Sequence, residues 1–153
     1  MDADGQHDPG QLPAFIEAFA AASWDLCVGS RYVKTRTYRG VPLGRRIGMW
    51  TFSRFLVSLT GRRVYDTTSG LKLFRRSVFA PLALWHFVDF HAEALVYLLR
   101  LGFEVAEYPV VVGERRHGRS MYSLVSSLNY PSKTLLMLLL GVVQAELTRR
   151  RAA

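Results

Sequence analysis

With 153 residues, half of them hydrophobic and 12% aromatic, the chain is long enough for one domain with a real core and too apolar to be disordered. Its formal net charge of +8, from 20 Lys and Arg against 12 Asp and Glu, favours an anionic partner: nucleic acid, a phosphate-bearing substrate or an acidic lipid surface. The lone cysteine, Cys27, excludes an internal disulfide framework and cannot by itself build a zinc site, and it fits a reducing compartment.

The chain opens on "MDADGQHDP", polar and acidic with no strand before it. From Pro9 to Ala22 apolar Leu12, Phe15, Ile16 and Phe19 recur at helical spacing, with Pro13 tolerated in the first turn and Asp8 placed as N-cap. "DLCVGSRY" (25–32) is a short apolar run ending in a Gly-Ser turn, the form of a buried strand whose tip presents side chains. Residues 33–46 are basic and rich in Gly and Pro, hence a loop. Ile47, Trp50, Phe52, Phe55 and Leu59 then mark a helix over 45–60, stopped by Gly61.

"VYDTTSGLKLFRR" (64–76) reads as a strand or loop, with a strand after Gly70. A short helix is expected over 77–87 and a longer one over 89–102, closed by Gly102. "FEVAEYPVVV" (103–112) alternates like a strand, with Pro109 at an edge or bend, and "GERRHGRS" (113–120) is a polar, basic loop. The tail from Met121 to Arg151 is helical by pattern and expected to break near Pro131. Its apolar run 134–145 would span roughly 18 Å, short of the ~30 Å hydrocarbon core of a bilayer. Strands alternating with helices make the fold class α/β.

Several of these stretches can carry chemistry. Asp2 and Asp4, with Gln6 as a neutral oxygen donor, form an Asp-x-Asp set suited to Mg²⁺ or Mn²⁺; alone it reads more readily as a surface turn. Arg31, Arg45/Arg46, Arg75/Arg76 and Arg115/Arg116/Arg119 sit at loops or element ends, and guanidinium pairs bidentately with phosphate, although any one cluster is also an ordinary solvated face. Asp66 in "DTTSG" is either an Asx-turn residue or a carboxylate set for proton abstraction. Tyr32, Tyr38 and Trp50 accompany the basic charge, but no helix-turn-helix, zinc-ligand or RNP pattern is present, so nucleic acid ranks behind a phosphate-bearing substrate. A nucleophile elbow and a Walker loop are absent too.

Taken in order, "DADGQHDP", "VGSRY", Arg46 seven residues before Ser53, "GRRVYDTTSGLKLFRR", Glu93 in "HAEALVYLLRLGFEVAEYPV" and "ERRHGRS" resemble family 2 glycosyltransferases of the dolichyl-phosphate mannosyltransferase type. The resemblance runs from residue 1 to about residue 130, and the ordered set is far more specific than any one motif. It implies the C-terminal portion of a GT-A, Rossmann-like domain over 1–120, lacking the N-terminal nucleotide-binding part, and a membrane-associating helical segment over 121–153. It also implies inverting transfer of a sugar from a nucleotide-sugar to a polyprenyl phosphate at the cytoplasmic face of the membrane, with Mg²⁺ or Mn²⁺ as cofactor. By the same resemblance Asp2, Asp4 and Gln6 would hold the metal. Arg31, Arg46, Arg115 and Arg119 would contact phosphates, Asp66 would act as base or orient the acceptor phosphate, and Glu93 would support the site from a helix below. The chain departs from the pattern at "GRSM", where Met121 replaces a Lys and Arg119 would supply the charge, and at Leu71, where Phe is common. The competing expectations are a basic membrane-peripheral module without turnover and, behind it, a nucleic-acid binder.

Overall fold

A computed structural model of the chain describes residues 7–34, 43–85, 92–113 and 124–152. Asp8 accepts a hydrogen bond from the Gly10 N–H at 2.9 Å and so caps a 3₁₀ turn, Pro9–Gln11, that runs into α1, Leu12–Ala21. Strand β1, Leu26–Ser30, precedes α2, Leu43–Thr60. Strand β2, Lys72–Phe74, is followed by a 3₁₀ turn at Arg76–Val78 and by α3, Phe79–Ala83. Helix α4, Ala92–Leu101, precedes β3, Val105–Pro109, and α5, Leu124–Ala152, ends the chain. Gly61 and Gly102 end α2 and α4 with φ of +71° and +94°, a conformation that a Cβ disfavours.

The sheet order is β2-β1-β3, with β1 antiparallel to β2 and parallel to β3. Every residue of β1 is buried, as expected for a central strand covered on both faces. Alternation along β1 sends Leu26 and Val28 to one face and Cys27 to the other. Leu26 and Val28 join Phe52, Leu56, Leu95, Leu98 and Leu138 in the main core beneath α2, α4 and α5. Cys27 meets Phe15 of α1, Leu71 and Val110 on the opposite face. The molecule is therefore layered α/β/α around this small sheet.

Helix α5 is continuous through Pro131, where the sequence pattern anticipated a break. A proline removes one backbone hydrogen bond of the helix, and the second half of α5 is held by packing on α4. At the crossing, a Cβ added to Gly141 would stand 2.7 Å from the Glu93 carbonyl oxygen, so only glycine lets the two backbones approach this closely. Helical periodicity divides the apolar run of α5 into two stripes. Leu138 and Ala145 are buried and Val142 packs against the core, whereas Leu136, Leu139, Leu140, Val143 and Leu147 are exposed. Leu138 and Val142 are thus committed to the protein interior. The far end of α5 is pinned by Thr148, whose hydroxyl accepts from the Trp85 indole at 2.8 Å and lies 3.1 Å from the Tyr97 hydroxyl. Among the described residues no helix is long and apolar enough to cross a membrane.

Arg75 has a structural assignment. Its Nε donates to the Trp24 carbonyl at 3.0 Å, its Nη2 donates to the carbonyls of Phe19 and Ala22, and its guanidinium lies 5.1 Å over the Phe19 ring. It satisfies carbonyls at the end of α1 and complements the helix dipole there. Arg75→Ala is expected to lower stability by about 1–2 kcal/mol in urea unfolding, and Arg75→Lys to restore little, because one ammonium cannot reproduce the planar fork.

Candidate functional site

The parallel register of β1 and β3 pairs Ser30 with Pro109, so both strands end together, and the Val110 N–H donates to the Ser30 carbonyl at 3.0 Å just beyond. In α/β sheets the carboxyl ends of such strands are where ligands bind. Three chain segments meet at this edge. Arg31 leaves β1 there. The 64–71 segment crosses it. The stretch 110–112 continues past β3 and is tied to the N-terminal segment by a bridge from His7 to Val112 and by Gln11, whose side-chain amide makes two hydrogen bonds to the Val111 backbone at 2.7 and 2.8 Å.

At the centre is an ion pair. Asp66 has no solvent exposure, and its carboxylate accepts from Arg31 Nε and Nη2, each at 2.7 Å, and from the Arg31 backbone N–H at 3.0 Å. The pair is bidentate, and the Arg31 side chain keeps 24% of its surface in solvent. Arg31 Nη2 also lies 3.3 Å from the Thr68 hydroxyl. Beside it, Thr67 is buried with its hydroxyl unpaired among the described residues.

Beneath the pair stands Glu107 of β3, on the same strand face as Val105. Its two carboxylate oxygens accept from the backbone N–H groups of Tyr65 and Asp66 at 2.8 and 2.9 Å. The nearby Ser30 hydroxyl accepts from the N–H groups of Tyr32 and Val33 at 3.3 and 3.1 Å. Burial pushes the Glu107 carboxyl above its ordinary value. The nearby Ser30 hydroxyl and the bonds from Tyr65 and Asp66 pull it back, and the Asp66 charge adds a smaller upward push.

Tight packing fixes the rest of the edge. The Ser69 hydroxyl donates to the Gly29 carbonyl at 2.6 Å and accepts from the Leu71 N–H at 3.2 Å, and a Cβ on Gly29 would fall 2.9 Å from the Leu71 side chain. "VGS" and "TTSGL" therefore interlock. Cys27, buried under this edge, is no nucleophile: burial and the nearby Glu107 charge push its thiol up to about 12.

Of the residues singled out by sequence, Arg31 and Asp66 are brought together. Arg46 is exposed on α2, on the side that carries buried Ser53 two turns later. Glu93 is buried in the first turn of α4, under Gly141. Asp2, Asp4, Gln6, Arg115 and Arg119 lie outside the described residues, among which no group of three His, Cys, Asp or Glu side chains could hold a metal. Glu107 was not anticipated. The signal for Glu107 was present, a carboxylate on the core-facing side of an alternating strand.

Polyprenol monophosphomannose synthase of Mycolicibacterium smegmatis is 34% identical over 128 residues, covering 80% of this chain and 48% of that protein. Undecaprenyl-phosphate mannosyltransferase of Micrococcus luteus is 32% identical over 127 residues, covering 80% and 51%. The chain is homologous to polyprenyl-phosphate sugar transferases. Dolichol-phosphate mannosyltransferase of Pyrococcus furiosus, 31% identical over 131 residues, covers 78% of this chain and 34% of its own length. The chain thus spans about half the length of the first two of these relatives. No family model matches it.

Proposed function

We propose that the chain carries the acceptor-side half of a glycosyltransferase site that moves a sugar from a nucleotide-sugar to a polyprenyl phosphate. The observation that carries this reading is the Arg31–Asp66 pair at the carboxyl ends of β1 and β3, in a chain homologous to polyprenyl-phosphate sugar transferases. In the reaction a phosphate oxygen of the lipid attacks the anomeric carbon as the bond to the nucleoside diphosphate breaks, with inversion. That oxygen is already largely ionised near neutral pH, so positioning and charge neutralisation matter more than proton removal. Both oxygens of Asp66 already accept from Arg31, which supports a role in orienting the guanidinium toward phosphate. Arg46, Arg115 and Arg119 are proposed to add positive charge, and Glu93 to support the site from α4.

Asp2, Asp4 and Gln6 would hold Mg²⁺ or Mn²⁺, an all-oxygen donor set of the kind these hard cations prefer. When bound, the ion would neutralise charge on the leaving diphosphate. His7, the next residue after Gln6, is bridged to Val112 at the same sheet edge.

The test supplies the protein, as its gene encodes it, with labelled nucleotide-sugars, polyprenyl phosphate and Mg²⁺ or Mn²⁺. Label extractable with the lipid, lost on chelation, is the expected result. Transfer only to a soluble acceptor would overturn the polyprenyl assignment.

The exposed stripe of α5 supports peripheral attachment to the cytoplasmic face of the membrane, and it equally supports the second reading, a membrane-peripheral module without turnover. Arg149, Arg150 and Arg151 would add about 1 kcal/mol each at an anionic surface. Leu139→Glu with Val143→Glu is expected to weaken binding to anionic vesicles by tenfold or more in flotation, with circular dichroism unchanged. Unaltered flotation would mean that the stripe meets protein instead.

A further inference from the structure

The hydrogen bonds around Glu107 have a direction. Both end on the backbone of Tyr65 and Asp66, the segment that presents the Asp66 carboxylate to Arg31. Asp66 in turn holds Arg31 through side chain and backbone at once. We propose that Glu107 is a positioning residue for the candidate site: its carboxylate clamps the 65–66 backbone, and through Asp66 sets the Arg31 guanidinium.

A carboxylate suits this place for a specific reason. Two amide N–H groups converge on it, one on each oxygen, and only an ionised carboxylate offers acceptors to both with no donor of its own. Glutamine keeps the shape but puts an NH₂ against one of those N–H donors. Aspartate keeps the charge but is one methylene short from a strand whose position is fixed by pairing with Val28. The cost of keeping a charge here, visible in the upward push on the Glu107 carboxyl, is offset by these two bonds. A residue needed only for folding could be apolar on this face, as Val105 is.

The inference concerns the site whose chemistry is proposed above, and its first test does not require that chemistry. In the ¹⁵N-labelled chain the Arg31 Nε–H, held by Asp66, is expected to exchange slowly. In Glu107→Gln that exchange should accelerate about tenfold, equivalent to ~1.4 kcal/mol, beyond any change in amides of the α4 core. Exchange of Arg31 and of the α4 amides rising by the same factor would make Glu107 merely structural and overturn the proposal, as would an unchanged Arg31 signal. The second test is a double-mutant cycle in the sugar-transfer assay. Glu107→Gln and Asp66→Asn should each lower kcat/KM for the lipid phosphate, and the double variant should be little worse than Asp66→Asn alone, because the two act in series. Additive losses would overturn the clamp. A wild-type protein that transfers no sugar would instead overturn the proposed function and leave the exchange result standing.

Discussion

Asp66→Ala is expected to be among the most damaging single substitutions at the sheet edge. It removes a fully buried carboxylate that accepts three hydrogen bonds, two of them charge-assisted, and leaves the Arg31 guanidinium and backbone N–H without that partner. Breaking a wholly buried pair costs about 3–5 kcal/mol, and because Arg31 is partly solvated the expectation here is lower, about 2–4 kcal/mol in chemical denaturation. Asp66→Asn preserves volume and separates the roles. If Asp66 orients Arg31, apparent affinity for the lipid phosphate falls more than turnover does. A general base would instead show turnover reduced by roughly 10²–10⁴ at unchanged acceptor affinity, and that result would overturn the positioning assignment. Steady-state kinetics with donor and acceptor varied separately distinguish the two.

The second large effect is expected far from the edge. Gly141 lies within α5, where alanine would ordinarily stabilise a helix by about 1 kcal/mol. The obstacle is the backbone of α4: the added Cβ would meet the Glu93 carbonyl oxygen at 2.7 Å and Val96 at 3.5 Å. Neither side can yield without separating the helices, so Gly141→Ala should destabilise, and Gly141→Val should reach the upper end of the ~1–3 kcal/mol typical of overpacking. The sign decides the matter. A rise in the denaturation midpoint of Gly141→Ala would mean that α4 and α5 are not in this close register.

Much of the fold was legible because its elements obey local rules. Asp8 and Pro9 announce the first helical turn, Gly61 and Gly102 end helices in the left-handed region, and β1 is an uninterrupted apolar run because both of its faces are covered. Local rules failed at Pro131, where α5 continues and tertiary packing further along outweighs one lost bond. They also failed at Arg75, which reads as a surface cation and instead completes the end of α1, a partner more than fifty positions away. The site shows the same division. Arg31 and Asp66 could be named from residue type and motif, but their mutual pairing could not, because nothing within either motif points to the other. Glu107 was hidden for that reason too: its partners become neighbours only once β3 has paired with β1.

That dependence orders events during folding. The contacts that make the sheet edge join residues 35 positions apart for Arg31 and Asp66, and 41 and 42 apart for Glu107 with Asp66 and Tyr65. The two parallel strands beneath them are further apart still, since Asp25 at the start of β1 meets Glu104 across 79 positions. Each such closure costs chain entropy before any contact rewards it, whereas α1, α2 and α4 can begin from neighbours in sequence. The helices can therefore form early, and the arginine–aspartate pair is a late arrival, present only when the strands have found each other. A chain halted partway would hold helical structure yet carry no clamp at all.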